Sequence, residues 1–297
     1  MKATWYKKTG PAQEVLKVGE MEAPRATEDE VRIRVRSSGV NPADVKLRSG
    51  ASNYGYNFPL VIPNSDGAGI VDQVGFNVPK SLMNKRVWFF NGQRLGRAHG
   101  SAAEFIALDK NFVTPLADDI SFEEGATLGI PAMTAYHSVF SDGPVSGKII
   151  LVTGGSGAVG FYAVSLASWG GAKVIATVSN SNKAQNAILG GAKATINYKT
   201  EDIITRVAKL TNGKGVDRII SVDFADNLKW LTNVISKNGT VVAYASDTNR
   251  TPQIDFFQFM RKNTQIRPFI LNSLPQKNLD EARLGINEWL SAVPNAL

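Results

Sequence analysis

The chain has 297 residues, a formal net charge of +7, two histidines and no cysteine. That length suits two domains, each able to bury its own core. Zero cysteine excludes disulfides, thiolate nucleophiles and cysteine-ligated zinc, and His99 and His137 cannot by themselves build a histidine-rich metal site. No run approaches the roughly 18 apolar residues that cross a bilayer, and Met1 to Tyr6 lacks a signal-peptide core. The expectation is a soluble, cytoplasmic protein with no membrane partner. Its basic residues are scattered, with no run interleaved by aromatics, so the positive balance reads as a surface that attracts an anionic cofactor rather than a nucleic acid.

The first 120 residues are β-rich. Val31-Arg32-Ile33-Arg34-Val35-Arg36 alternates with period two, which predicts an antiparallel strand with aliphatics inward and arginines in water. Turn signals at Thr9-Gly10-Pro11, Asn41-Pro42, Ser49-Gly50 and Phe58-Pro59 separate further short strands, a small β-barrel pattern. From residue 121 the texture changes. Ser121 and Glu124 are spaced as a capping box that opens a helix. Helices and strands then alternate, as parallel βα units do. Strands are predicted at Lys148–Val152, Ala172–Thr177, Lys193–Asn197, Arg218–Val222 and Thr240–Ala245, with helices over Phe161–Trp169, Thr200–Leu210 and Asp226–Ser236. Gln265–Ile270 reads as a strand and Asp280–Leu290 as a helix. The fold class is therefore α/β, a Rossmann doubly wound parallel sheet plus a β-barrel unit. The expected divisions are residues 1–120 as substrate domain, 121–262 as dinucleotide-binding domain, and 263–297 as the last strand of the sheet with a partial return to the first domain.

Gly155-Ser156-Gly157-Ala158-Val159-Gly160 has the spacing G-x-G-x-x-G, with an apolar β-branched run before it and an apolar helical segment after it. A dinucleotide pyrophosphate needs backbone N–H groups at a helix N-terminus and no side chains in the way. An NAD site places a carboxylate about 20 residues beyond the glycines, on the ribose. Here the second strand runs out into Val178-Ser179-Asn180-Ser181-Asn182-Lys183. A carboxylate would repel a 2′-phosphate, whereas Ser179 and Lys183 donate to it, which points to NADP. The bland alternative is a polar turn ending in a solvated lysine.

Several segments together carry a family likeness: Glu14-Val15-Leu16, Ser38 to Asp44, Arg48-Ser49-Gly50, Ser65 to Gly69 with Val74-Gly75, Gly100 to Phe105, Gly129 to Tyr136, and the glycine turn. In this order the chain resembles the zinc-free quinone oxidoreductases, the zeta-crystallin-like branch of the medium-chain dehydrogenase/reductase superfamily. The resemblance implies a GroES-like domain beside a Rossmann domain, with NADPH in the cleft between them. It places Asn41 near the nicotinamide and, with Thr127, among the catalytic residues. It sets Thr127, Ile130 and Thr134 along the nicotinamide end, and Gly157, Ala158 and Val159 against the pyrophosphate. Ser179, Lys183 and Tyr198 surround the 2′-phosphate, and Ala245, Ser246 and Phe269 to Leu271 close over the nicotinamide. It also implies a homodimer through the sheet edge, at Thr240–Ala245 or Gln265–Ile270.

Departures from the family are equally specific. Zinc-dependent relatives carry cysteine and histidine ligands in the segments occupied here by Asn41-Pro42 and Asn64-Ser65-Asp66, so no metal is expected. A tyrosine two residues after Asp44 is replaced by Lys46, with Tyr54 or Tyr56 as candidate substitutes. Pro294 to Leu297 ends the chain before the segment that returns to the first domain in relatives, whether by truncation or by nature. Asn41-Pro42 is also an ordinary turn starter, and Asp44 reads as a cap. His99 and His137 read as a loop residue and a helix-face residue. The expected activity is hydride transfer from NADPH to a quinone, with Asn41 bonded to the cofactor amide or to a substrate oxygen. The alternatives are an NADPH-dependent reductase of α,β-unsaturated ketones or aldehydes, and an NADPH-binding RNA-binding or structural, crystallin-like protein.

Overall fold

The structure, a computed structural model, describes residues 1–51, 58–94 and 96–293. Tyr54 and Tyr56 lie outside the described residues. The chain forms two compact units, Met1–Ile130 and Pro131–Leu297.

In the first unit, β1 (Lys2–Trp5) and β2 (Lys17–Glu20) form a two-stranded ribbon linked through the short helix α1 (Ala12–Val15). The main sheet contains β3 (Glu30–Gly39), β4 (Asp66–Val74), β5 (Arg86–Phe89), β6 (Phe105–Asp109) and β7 (Val113–Pro115), antiparallel in the order β6-β3-β4-β5-β7. The alternation along β3 is as predicted: Val31 and Ile33 are fully buried, and Arg32 lies on the other face, paired with Asp72 at 2.9 Å. Val31, Ile33, Val71, Val87, Phe89, Ile106 and Leu108 interlock as the core of this unit. Helix α2 (Pro42–Ser49) follows β3, and α3 (Phe122–Gly125) follows β7. The capping box at α3 forms as expected, Ser121 N donating to Glu124 Oε2 at 2.8 Å and Glu124 N to Ser121 Oγ at 3.1 Å.

The second unit begins with α4 (Met133–Phe140) and carries a six-stranded parallel sheet of β8 (Ile149–Val152), β9 (Lys173–Val178), β10 (Ala194–Asn197), β11 (Val216–Ser221), β12 (Ile235–Ala243) and β13 (Gln265–Pro268). The helices between and after these strands are α5 (Ala158–Trp169), α6 (Ser181–Leu189), α7 (Ile203–Leu210), α8 (Phe224–Val234), α9 (Phe256–Lys262) and α10 (Gln276–Ala292). The order β10-β9-β8-β11-β12-β13 is the doubly wound 3-2-1-4-5-6 arrangement, whose direction reverses between β8 and β11. Ligands bind such sheets at the carboxyl ends of the strands beside that reversal. Ile150, Leu151, Val174, Ile175, Ile219, Ile220, Val241 and Val242 are fully buried, as strands covered on both faces require.

Two helices arise where the sequence signalled turns. Asn41 caps α2, with Pro42 at its first position. Asn180 caps α6, its side chain accepting the N–H of Lys183 at 2.9 Å, so the polar stretch after β9 is a helix start. The predicted helix Asp226–Ser236 stops at Val234, because β12 starts at Ile235. Of the two segments expected at a dimer edge, Thr240–Ala245 begins on the end of β12, which lies between β11 and β13, whereas Gln265–Ile270 begins on β13, an edge strand. Among the described residues no helix is long and apolar enough to cross a membrane.

Candidate active site

The glycine turn sits where β8 hands over to α5, beside the reversal of the sheet. It is anchored to β9, with Gly155 N donating to the Thr177 carbonyl at 3.0 Å and Gly154 N to Thr177 Oγ1 at 3.1 Å. Each glycine has its own reason. Gly154 has φ +62, a left-handed conformation that side chains resist. A Cβ on Gly155 would meet the Ala176 Cβ at 2.6 Å, so its absence lets the turn lie on the strand. Gly157 caps α5 and is exposed. The first N–H groups of α5, at Ala158, Val159 and Gly160, have no acceptor within the helix and stand at its positive end. A helix start of this kind favours an anion.

A polar network that sequence reasoning missed ties the ends of β8 and β11 together behind the turn. Thr153 N donates to the Ile220 carbonyl at 3.0 Å, Val222 N to Thr153 Oγ1 at 2.9 Å, and Asn227 Nδ2 to Ser221 Oγ at 2.8 Å. The only sequence signal was the switch from apolar to hydroxyl residues at both strand ends.

The predicted adenosine residues gather at the adjacent ends of β9 and β10, which pair through Asn197 and Val178. Ser179 follows β9, exposed Lys183 lies in the first turn of α6, and half-exposed Tyr198 donates its backbone N–H to the Val178 carbonyl at 3.1 Å. The neighbouring carboxylate of Glu201 accepts the Asn197 N–H at 2.8 Å and pairs with Arg206 at 2.6 Å. Ser156, in the turn, accepts from Asn186 of α6 at 3.4 Å.

Further predicted residues of the second unit lie on α4 and beyond β12 and β13. Thr134 is buried in α4, its carbonyl accepting from Ser138 Oγ at 2.7 Å. The Ala245 carbonyl accepts the Phe224 N–H at 2.9 Å, and Ser246 Oγ donates to the Asn249 carbonyl at 2.6 Å. Thr248 N donates to Asp223 at 2.9 Å, which holds this loop to the start of α8. Burial pushes the Asp223 carboxyl up, but the Thr248 hydroxyl and the backbone N–H groups it accepts carry it below its ordinary value. Phe269 packs edge-on against His137 at 4.7 Å, and Leu271 is buried.

In the first unit, the structure brings Asn41 and Ile130 together on one carboxyl group. Asn41 Nδ2 donates to Asp66 Oδ2 at 2.7 Å, and the Ile130 N–H donates to the same oxygen at 2.8 Å. Asp44, read from the sequence as a cap, accepts the Asn41 N–H at 2.8 Å at the start of α2, and it is ion-paired with Arg94 at 2.9 Å. Burial raises the Asp44 carboxyl above its ordinary value, against the pull of Arg94. Thr127 is exposed, and its hydroxyl donates to the Glu124 carbonyl at 2.7 Å. Asp66 and Arg94 were missed as functional residues. The available signal was a single acid, Asp66, set among Ser65, Gly67, Ala68 and Gly69 at the start of an apolar strand.

A GroES-like sheet unit followed by a doubly wound parallel unit defines a medium-chain dehydrogenase/reductase. The alcohol dehydrogenase GroES-like domain matches residues 27–118, and the zinc-binding dehydrogenase domain matches residues 158–284. The chain is 31% identical over 280 residues to the quinone oxidoreductase of Sus scrofa, covering 93% of this chain and 82% of that protein. It is 29% identical over 248 residues to quinone oxidoreductase 1 of Escherichia coli, covering 82% of this chain and 72% of that protein. Among solved structures, the quinone oxidoreductase of Pseudomonas syringae superposes with a TM-score of 0.85 at 27% identity, over 98% of this chain and 88% of that one. The Escherichia coli quinone oxidoreductase complexed with NADPH has the same fold, with a TM-score of 0.84 at 24% identity, over 98% of this chain and 88% of that one. The chain belongs to the zinc-free quinone oxidoreductase type of the medium-chain superfamily.

The zinc in the name of the second matched domain does not fit these residues. The chain has no cysteine, and the buried acid beside Asn41 is occupied by two N–H groups. Among the described residues no group of three or more histidines and acids could hold a metal ion.

Proposed function

We propose that this protein is an NADPH-dependent oxidoreductase that reduces a quinone without a metal. The observation that carries the reading is the glycine turn at the reversal of the sheet, with Ser179 and Lys183 at the position where an NAD site holds a carboxylate. When bound, NADPH would supply the hydride, which a quinone ring can accept without a Lewis acid. Ala158, Val159 and Gly160 receive the pyrophosphate through their backbone N–H groups at the positive end of α5, and Gly155, Ser156 and Gly157 form the turn that lets it approach. Ser179, Lys183 and Tyr198 hold the 2′-phosphate, Lys183 through a charge-assisted contact.

By family resemblance, Thr134, Ala245, Ser246, Phe269 and Leu271 of the second unit and, separately, Asn41, Thr127 and Ile130 of the first are assigned to orienting the reactants, so that the rate comes from proximity. Thr127 contributes as an acceptor, since its hydroxyl proton is directed at Glu124. The proton that completes the reduction comes from water. Parallel turnover assays with a quinone and an enone, each with NADPH and NADH, test the proposal. The expected result is quinone reduction driven by NADPH in preference to NADH. Reduction of the enone alone would overturn the substrate assignment.

A further inference from the structure

The parallel sheet of the second unit carries a recess at the amino ends of its strands, opposite the glycine turn. Lys148, which lines it, immediately precedes β8, and the turn lies beyond the carboxyl end of that strand. The recess has a volume of about 770 Å³, enough for a small organic ligand. Its floor comes from three strands. Arg218, Thr240 and Gln265 are neighbours in register across β11, β12 and β13, so their side chains stand in a row on one face of the sheet. Arg267, two residues beyond Gln265, returns to the same face.

The charge of this recess is unbalanced. Four cations line it, Lys148, Arg218, Lys237 and Arg267, against two carboxylates, Asp142 and Asp217, which leaves two positive charges uncompensated. Asp142 is shared by both guanidinium groups, and Asp217 accepts the Ile149 N–H at 2.7 Å. Among the described residues neither Lys148 nor Lys237 has an ion-pair partner. Arg218 is 1% exposed, donates to the Ser138 carbonyl at 2.7 Å, and keeps a buried Nε–H that has no acceptor among the described residues. Burial draws its guanidinium below the ordinary value, opposed by Asp142 and helped by Arg267. Closing α4 needs only Arg218 and Asp142. Three further cations around the same recess repel one another and work against stability, so their convergence has its value in an anion.

We propose that this recess is a binding site for a small phosphorylated molecule, separate from the dinucleotide site. A phosphate monoester carries about 1.5 to 2 negative charges at pH 7, which matches the two uncompensated cations. Its three terminal oxygens accept from arginine forks and lysine ammonium groups. Thr240 and Gln265 offer neutral polar groups to the rest of the ligand. No apolar side chain is among the described residues that line the recess, so it does not suit a quinone. The two sites share no residue, so this assignment stands apart from the dinucleotide reading.

The test is calorimetric titration of the full chain with inorganic phosphate, and with acetate at equal ionic strength, each with and without NADPH. The proteins are the wild type, Lys183→Ala and the double variant Lys148→Ala/Lys237→Ala. The wild type is expected to bind phosphate more tightly than acetate, with the same affinity whether or not NADPH is present, and Lys183→Ala is expected to match it. The double variant is expected to bind phosphate about tenfold more weakly while melting close to the wild type. Wild-type phosphate affinity in the double variant overturns the proposal, as does the absence of phosphate binding in the wild type. Equal affinity for acetate reveals an unspecific, adventitious ion only and overturns it too. Phosphate binding that vanishes with NADPH or in Lys183→Ala places the anion in the dinucleotide site and overturns the second site while supporting the first. Should the double variant fail to fold, Lys237→Ala, at an exposed position, is expected to lose about threefold in phosphate affinity, and an unchanged affinity there overturns the proposal.

Discussion

A Cβ placed on Gly160 would stand 2.1 Å from the carbonyl oxygen of Gly154, whereas one on Gly157 would come no closer than 3.3 Å to that atom. The third glycine of the motif thus serves the fold, and the second leaves room for something outside it. Gly160→Ala forces backbone against backbone and is expected to cost about 3 kcal/mol, the upper range for an overpacked site. Gly157→Ala is expected to cost less than about 1 kcal/mol, a small adjustment at a helix start. The order reverses for the ligand: Gly157→Ala weakens NADPH sharply while melting close to the wild type. Thermal denaturation beside a fluorescence titration with NADPH separates the two effects.

Lys183 is exposed, with its backbone tied to Asn180 in the first turn of the helix that follows β9. Lys183→Ala should weaken NADPH about tenfold and leave NADH within a factor of two, because only the former carries the 2′-phosphate. The wild-type preference for NADPH should also shrink with added salt. Equal losses for both dinucleotides would remove Lys183 from the phosphate site.

The Asp66 carboxyl, raised from 3.8 to about 8, makes a signed prediction about stability. Between those values the folded protein holds a proton that the unfolded chain has released, so this group's contribution falls as pH rises toward 8. Asp66→Asn removes that dependence. Its urea midpoint should lie near the wild-type midpoint at pH 5 and gain on it steadily up to pH 8.5. A constant offset across that range would show that Asp66 does not titrate in the folded state.

Arg218 is fully buried on β11 and donates to the Ser138 carbonyl at 2.7 Å and to Asp142, which also pairs with Arg267. It closes the last turn of α4, where unpaired carbonyls favour a cation. Arg218→Ala should destabilise the protein by about 3 kcal/mol, since a buried charge pair loses one member and a carbonyl loses its donor. Arg218→Met, which keeps the volume, should cost about half as much. Chemical denaturation of the three proteins checks the order.

Features with a local period were legible in the sequence. The alternation of Val31 to Arg36, the capping box of Ser121 and Glu124, and the glycine turn between β8 and α5 each depend on residues within one short window. The helices α2 and α6 were not legible as helices, because Asn-Pro and Ser-Asn runs signal turns as strongly as they signal caps.

Sequence alone determined the parallel βα unit, its glycine turn and the lack of an acidic residue between Val178 and Lys183, since these follow from residue type and spacing along the chain. Tertiary structure alone decided the surroundings of Asn41. Asp66 lies 25 residues away along the chain and reaches Asn41 because β3 pairs with β4 in the register that sets Gly39 against Asp66. Burial of that carboxyl, its two N–H partners and the glycines that make room for it, Gly39 and Gly129, come from segments far apart in the chain. No local pattern encodes a proton affinity or an amide orientation that depends on all of them at once.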